Sequence, residues 1–360
     1  MNIQELEGKR IAVLLSGGVD SSVVVYEFAR LGLHPDCFYI KIGPKEKEDW
    51  DCNSEEDLEM ATLVTRRFGC KLQVIDCHKE YWDKVTRYTM EKVKAGFTPN
   101  PDVMCNRLIK FGAFDEKMGH DYDLIATGHY AQTEWIDGRK WLTTSPDPVK
   151  DQTDFLAQIY DWQLKKAIFP IGHYEKNEVR EIAERENLIN ARRKDSQGIC
   201  FLGNIDYNEY VRRYLGEQIG DVIELETGKK IGEHKGLWFH TIGQRKGLGL
   251  GGGPWFVIKK DVTKNILYVS HGYDPATAYK KDFSLHDFHF LTEGITTLPE
   301  QITFKIRHTP EYHPATIEQL PDGRCIIHSA ESIHGVAPGQ FCVVYDEHHH
   351  RCFGSGEITI

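Results

Sequence analysis

The chain lacks any apolar run near the roughly 18 residues that a membrane-spanning helix needs. Its first ten residues, Met1 to Arg10, hold no hydrophobic leader, so the expected location is the cytoplasm, with no membrane partner. Nine cysteines in 360 residues are too sparse for a disulfide scaffold, and none stand in a C-x-x-C spacing. That spacing argues against a zinc knuckle or a clustered iron–sulfur site, so no metal-ligand set is assigned. A basic excess is missing too. The formal net charge is −10, so any grip on nucleic acid must come from local patches and be sensitive to salt. There is no internal repeat and no low-complexity tract. What remains, 40% hydrophobic and 27% charged residues, is the balance of a soluble globular protein with room for two or three domains.

The most informative stretch is Ser16-Gly17-Gly18-Val19-Asp20-Ser21-Ser22. It follows the apolar run Ile11 to Leu15, which reads as a buried parallel strand, and precedes Val23 to Arg30, which reads as a helix stopped by Gly32. A strand, a glycine turn and a helix start aim backbone N–H groups and a partial positive charge at one point, which suits a phosphate. The turn has no lysine of the common nucleotide P-loop. Further strand signals at Asp36–Lys41, Lys71–Asp76 and Leu124–Thr127 alternate with a capped acidic helix start at Ser54. This rhythm predicts an α/β fold, a doubly wound parallel sheet with its ligand crevice at the carboxyl ends of the strands. Ser16, Ile40 and Gly128 all fall at such ends. A helical pattern covers Asp161 to Leu188, and a short one Tyr207 to Leu215. Within the glycine-rich segment, Gly247–Gly253 reads as a flexible connection between domains. After Gly272, short alternating runs predict a small antiparallel β-barrel. The expected domains are 1–203, 204–272 and 273–360, the middle one small and glycine-rich.

Two cysteines stand apart. In Thr98-Pro99-Asn100-Pro101-Asp102-Val103-Met104-Cys105-Asn106 two prolines predict a stiff loop. Its Asp102 and Cys105 would face the start of a helix around Arg107, where a thiol tends towards thiolate. In Lys194-Asp195-Ser196-Gln197-Gly198-Ile199-Cys200, a second cysteine follows the basic residues Arg192, Arg193 and Lys194, which again favour thiolate. Together the two offer a pair for thiol–disulfide chemistry.

The SGGxDS turn resembles the PP-loop of the ATP pyrophosphatase family, which splits ATP between its α- and β-phosphates and adenylylates a substrate oxygen. The fuller set SGGVDSS, TPNPDVMCN, ATGHYA, KDQTDF, KDSQGICFLG, HTIGQRKGLG and APGQ is similar to that of the tRNA-specific 2-thiouridylase family, in the same order along nearly the whole chain. That resemblance implies ATP at Leu14, Leu15, Ser16, Gly17, Gly18, Val19, Asp20 and Ser21, with Ile40 and Gly128 lining the site, and Mg²⁺ is the cofactor expected to neutralise the phosphates. It implies Asp102 as acid/base, Cys105 as nucleophile and Cys200 as persulfide carrier. It implies tRNA contacts, at the anticodon region with its wobble uridine, from Asn100, Pro101, Asp102, His129, Lys150, Asp151, Gln152, Arg307, His308 and Gln340. A persulfide-donating protein is the implied partner, and the middle domain is expected to contact tRNA. The rival reading, a PP-loop amide-forming synthetase acting on a small molecule, needs adenylylation but no cysteine pair.

Overall fold

The computed structural model describes residues 6–42, 54–195, 206–272 and 276–359. In chain order the first domain runs β1 (Ile11–Leu14), α1 (Val19–Arg30), β2 (Asp36–Lys41), α2 (Ser54–Arg67) and β3 (Leu72–Asp76). Helices α3 (78–94) and α4 (101–117) follow, each with a π-helical stretch inside it, then β4 (Leu124–Ala126). A hairpin of β5 (Gln132–Ile136) and β6 (Arg139–Thr143) leads to α5 (Thr153–Leu156), α6 (Asp161–Lys166), β7 (Ala167–Ile168) and α7 (Lys176–Arg185).

All four residues of β1 are buried, as a strand covered on both faces requires. The sheet order is β3-β2-β1-β4-β7, and every neighbouring pair is parallel. Alternation along β1 serves two cores. Ile11, Val13 and Leu15 join Val23, Val24, Phe28, Val179 and Ile182 beneath α1 and α7. Ala12 and Leu14 join Phe38, Phe111, Phe114 and Ile125 beneath α4. The strand order reverses at β1, so the crevice opens at its carboxyl end, beside β4.

The expected continuous helix over 161–188 is broken. The chain leaves α6 at Lys166, adds β7 to the sheet edge, and resumes helix only at Lys176. Buried Lys140 donates to the carbonyls of Lys165 (3.2 Å) and Ala167 (2.7 Å) and so caps the end of α6. Between them Pro170 cannot continue a helix, and Gly172 lies so close to Ala131 that a Cβ would meet its carbonyl oxygen at 1.6 Å.

Helix α8 (Tyr207–Leu215), capped by Asp206, packs on α3 through Tyr210, Val211 and Val93. The central domain is a four-stranded sheet of β8 (Gly220–Glu224), β9 (Lys230–His234), β10 (Trp255–Asp261) and β11 (Ile266–His271), in the order β10-β11-β8-β9. The glycine-rich segment, expected to link domains, lies inside this one. Its Leu248 and Leu250 pack on Val222, Leu237, Val257 and Leu267, and the Gly251 carbonyl accepts from Trp255 Nε1.

Strands β12 (Tyr279–Phe290), β13 (Gln301–Lys305), β14 (His313–Gln319), β15 (Cys325–His334), β16 (Phe341–Tyr345) and β17 (Arg351–Thr359) form an antiparallel barrel closed by β12 on β17. The first domain reaches into it: β6 pairs with β17 at Thr143–Arg351 and Leu142–Cys352. No sequence signal marked that pairing. Among the described residues no helix is long and apolar enough to cross a membrane.

Candidate functional site

The glycine turn sits where β1 meets α1. Gly17 has φ +81°, and a Cβ there would lie 2.2 Å from the Asp57 carbonyl oxygen, so only glycine fits. Gly18 precedes α1 in extended conformation, and no side chain caps the helix. Its first-turn N–H groups therefore face the crevice, which is the donor set a phosphate needs. Gly128 closes the floor, with a Cβ position 3.0 Å from the Ser21 nitrogen. Leu14 and Leu15 are buried beneath the turn, while Ile40 lies one residue before the end of the neighbouring strand β2.

Residues far along the chain hold this turn. Buried Asn190 donates to the Gly17 carbonyl (2.7 Å) and to Ser22 Oγ (2.8 Å). Arg193 pairs with Asp57 at 2.6 Å and reaches the Gly17 carbonyl at 3.4 Å. Asp20 receives Lys176 Nζ on both oxygens, at 2.7 and 2.9 Å, and the Tyr130 hydroxyl at 2.9 Å. Lys176 also contacts Asp195 (2.9 Å), which in turn takes Lys150 (3.1 Å) and Arg180. Burial alone would raise the Asp195 carboxyl, but Lys176 and Lys150 outweigh it and hold it at about 2. Lys176, Asn190 and Tyr130 escaped sequence reasoning. Lys176 reads as an ordinary first-turn residue behind the capping Glu175, and only the packing of α7 against α1 brings it to Asp20.

The second stretch differs from expectation. The helix begins at Pro101, not near Arg107, because the Asn100 side chain accepts from the Val103 N–H (3.3 Å) and caps it. Asp102 therefore holds the first turn. Cys105 lies in the second, fully buried beside Cys77, Tyr81, Val85, Ile109 and Ala113. A helix-terminus argument for its thiolate does not apply there. Cys200 lies outside the described residues. Of the basic residues before it, Arg193 is committed to Asp57 and Gly17, while Arg192 stays exposed.

Several positions expected to touch tRNA have partners within the chain. His129, buried, accepts or donates with Thr127 Oγ1 (2.7 Å) and approaches Lys110 Nζ (3.3 Å). Burial, and then the Lys110 charge, push it well below the usual histidine range, so it is neutral. Gln152 pairs twice with Tyr130, through its side chain and its backbone N–H. Asp151 is buried, bonded by Ser145 N, Thr153 Oγ1 and Tyr312 OH and faced by Lys305. Arg307 donates to the Gly335 carbonyl (2.6 Å) and to that of Ile242 (3.4 Å), bridging barrel and central domain. His308 meets Asp154 at 3.1 Å, and Gln340 donates to the Thr98 carbonyl at 3.0 Å. Asn100, Lys305, Arg307 and His308 line one small recess between the first domain and the barrel.

Three family descriptions match in series: a tRNA methyl transferase HUP domain over residues 9–204, a tRNA methyl transferase PRC-barrel domain over 208–271, and an aminomethyltransferase beta-barrel domain over 280–358. The chain is 59% identical over 352 residues to tRNA-specific 2-thiouridylase MnmA 1 of Bacteroides thetaiotaomicron, covering 97% of this chain and 99% of that one. It is 56% identical over 357 residues to tRNA-specific 2-thiouridylase MnmA of Porphyromonas gingivalis, again over 97% and 99%. Among solved structures, NMN synthetase from Francisella tularensis aligns with TM-score 0.37 and 13% identity over 60% of this chain and 81% of that one.

Proposed function

The chain belongs to the tRNA-specific 2-thiouridylase family, and from that premise we propose that it replaces the C2 oxygen of the tRNA wobble uridine with sulfur, using ATP. The carrying observation is the match to this family across 97% of the chain. The carbonyl oxygen at C2 is a poor leaving group. Its attack on the α-phosphorus of ATP converts it to an AMP ester and releases pyrophosphate. The Gly17–Gly18 turn and the uncapped start of α1 supply the N–H donors for that pyrophosphate. Asp20, which Lys176 holds on both oxygens, would be the carboxylate that takes a Mg²⁺ ion there, and the ion would neutralise phosphate charge.

Asp102, in the first turn of α4, takes the proton that the base loses as its oxygen is adenylylated. Sulfur then comes from a persulfide on Cys200, loaded by a donor protein. Cys105 attacks the inner sulfur of that persulfide and gives up its thiol proton to the departing sulfur. The outer sulfur leaves as hydrosulfide, attacks C2 and expels AMP, and a Cys105–Cys200 disulfide remains for a thiol to reduce. The uridine must leave its stack to reach this site.

The test is direct. Purified protein, ATP, Mg²⁺, a persulfide donor and unmodified tRNA should yield 2-thiouridine at the wobble position, read by nucleoside mass analysis, with one AMP and one pyrophosphate per sulfur. Amide formation on a small molecule without thiolated tRNA would favour the synthetase reading instead.

A further inference from the structure

The segment carrying the catalytic loop has a bonding deficit written into its sequence. Pro99 and Pro101 have no N–H, so the stretch Thr98–Pro101 is two donors short of tying itself down with local backbone bonds. The barrel supplies the missing partners. The Thr98 N–H donates to the Pro338 carbonyl (2.8 Å). Gln340 Nε2 donates to the carbonyl of Thr98 (3.0 Å) and reaches that of Pro99 (3.5 Å). Gly339, at φ +90°, lies against the loop so closely that a Cβ would meet Phe97 Cβ at 2.7 Å and the Thr98 nitrogen at 3.0 Å. The turn is fixed to β17 in its own right: Gly339 N–H donates to the Ile358 carbonyl (3.0 Å) and Ile358 N–H to that of Gln340 (2.8 Å). One residue earlier on β17, Glu357 pairs with Lys92 at 2.5 Å, and Lys92 lies over the Phe97 ring. Thus β17 and the turn before it hold the start of the loop, and the loop leads directly into the Asn100 cap that starts α4.

We propose that the turn 337–340 is a clamp and that Gln340 is a positioning residue for the thiolation reaction. It fixes Asp102 and keeps Cys105 enclosed through the backbone of Thr98 and Pro99. This inference rests on the catalytic reading of Asp102 and Cys105 given above. It differs from a role in gripping tRNA, because the amide that would reach RNA is already donating to the catalytic loop.

The experiment compares wild type with Gln340→Ala, Gln340→Glu and Gly339→Ala in two assays. The first is the rate of iodoacetamide labelling at Cys105 in protein without tRNA, read by peptide mass. The second is kcat and KM for tRNA. The clamp predicts faster Cys105 labelling in all three variants. It predicts kcat lower by ten-fold or more, towards the order of 10²-fold that a misplaced catalytic group costs, with KM for tRNA within about two-fold. Gln340→Glu keeps the shape but turns a carboxylate on two carbonyls, so it should be no better than Gln340→Ala. Gly339→Ala keeps the Gln340 amide, but strains the turn at φ +90° and presses a Cβ on Phe97 and Thr98. Unchanged labelling and kcat with a raised KM in the Gln340 variants would overturn the clamp and make Gln340 an RNA contact alone. If wild type itself makes no thiouridine, the catalytic reading fails while the labelling assay still decides the clamp.

Discussion

Lys305 of the barrel and Asp151 of the first domain, each with a side chain only 1% exposed, face one another at 3.5 Å across the domain boundary. The Lys305 ammonium also lies 4.1 Å from the centre of the Tyr312 ring, and the Tyr312 hydroxyl donates to Asp151 at 3.0 Å. Burial pushes the Asp151 carboxyl above the usual range even with Lys305 opposite it. This pair is buried in the junction between the two domains.

Removing one partner should therefore act on stability. Lys305→Met leaves a buried carboxylate without its cation and should cost about 3–5 kcal/mol. Asp151→Asn in the same chain should recover part of that loss. Denaturant titration of the two single variants and the double variant measures the coupling, and strictly additive effects would contradict a direct pair.

At the glycine turn, Asp20→Ala should abolish release of AMP and pyrophosphate while leaving tRNA binding largely intact. It removes a carboxylate at the phosphate site and touches no expected RNA contact. Lys176→Ala strips Asp20 of its cation and should weaken nucleotide binding without altering tRNA affinity. Normal pyrophosphate release by Asp20→Ala would sink the nucleotide assignment.

Asp195 gives a pH signature. Its folded carboxyl is held at about 2, below its ordinary 3.8, so its contribution to stability is complete above that ordinary value. The contribution fades as pH falls from there towards about 2, where the folded carboxyl also protonates. The full shift would correspond to about 2 kcal/mol, and solvent screening of this partly exposed cluster reduces it to the order of 1 kcal/mol. The stability gap between wild type and Asp195→Asn should be constant near neutral pH and shrink across that acid window. A gap that stays level down to the lowest pH at which the protein folds would show that Lys176 and Lys150 do not hold the charge.

The two cysteines should divide the sulfur steps. Cys200→Ser should fail to load sulfur but still form adenylylated tRNA. Cys105→Ser should load sulfur on Cys200 and adenylylate tRNA, then stall, or turn over only with added reductant. Radiolabelled sulfur with non-reducing gels separates these outcomes. Loading lost in Cys105→Ser and kept in Cys200→Ser would reverse the roles, and normal thiolation by both variants without added thiol would refute the disulfide step.

The sequence by itself determined what depends on near neighbours. Ile11–Leu15, the glycine pair and α1 follow one another directly, so strand, turn and helix start could be read in order, and the sheet with them. The alternation after Gly272 likewise announced a barrel. Tertiary structure alone decided where the long polar side chains go. Asp20 meets Lys176 across 156 residues, Lys305 meets Asp151 across 154, and Gln340 meets Thr98 across 242. The pattern of a strand or helix fixes which face a side chain occupies, but not which distant element that face will meet. For the same reason the docking of β6 on β17 could be seen only in the folded chain, and Cys105 recognised as a second-turn, buried residue only once the Asn100 cap had set where the helix begins.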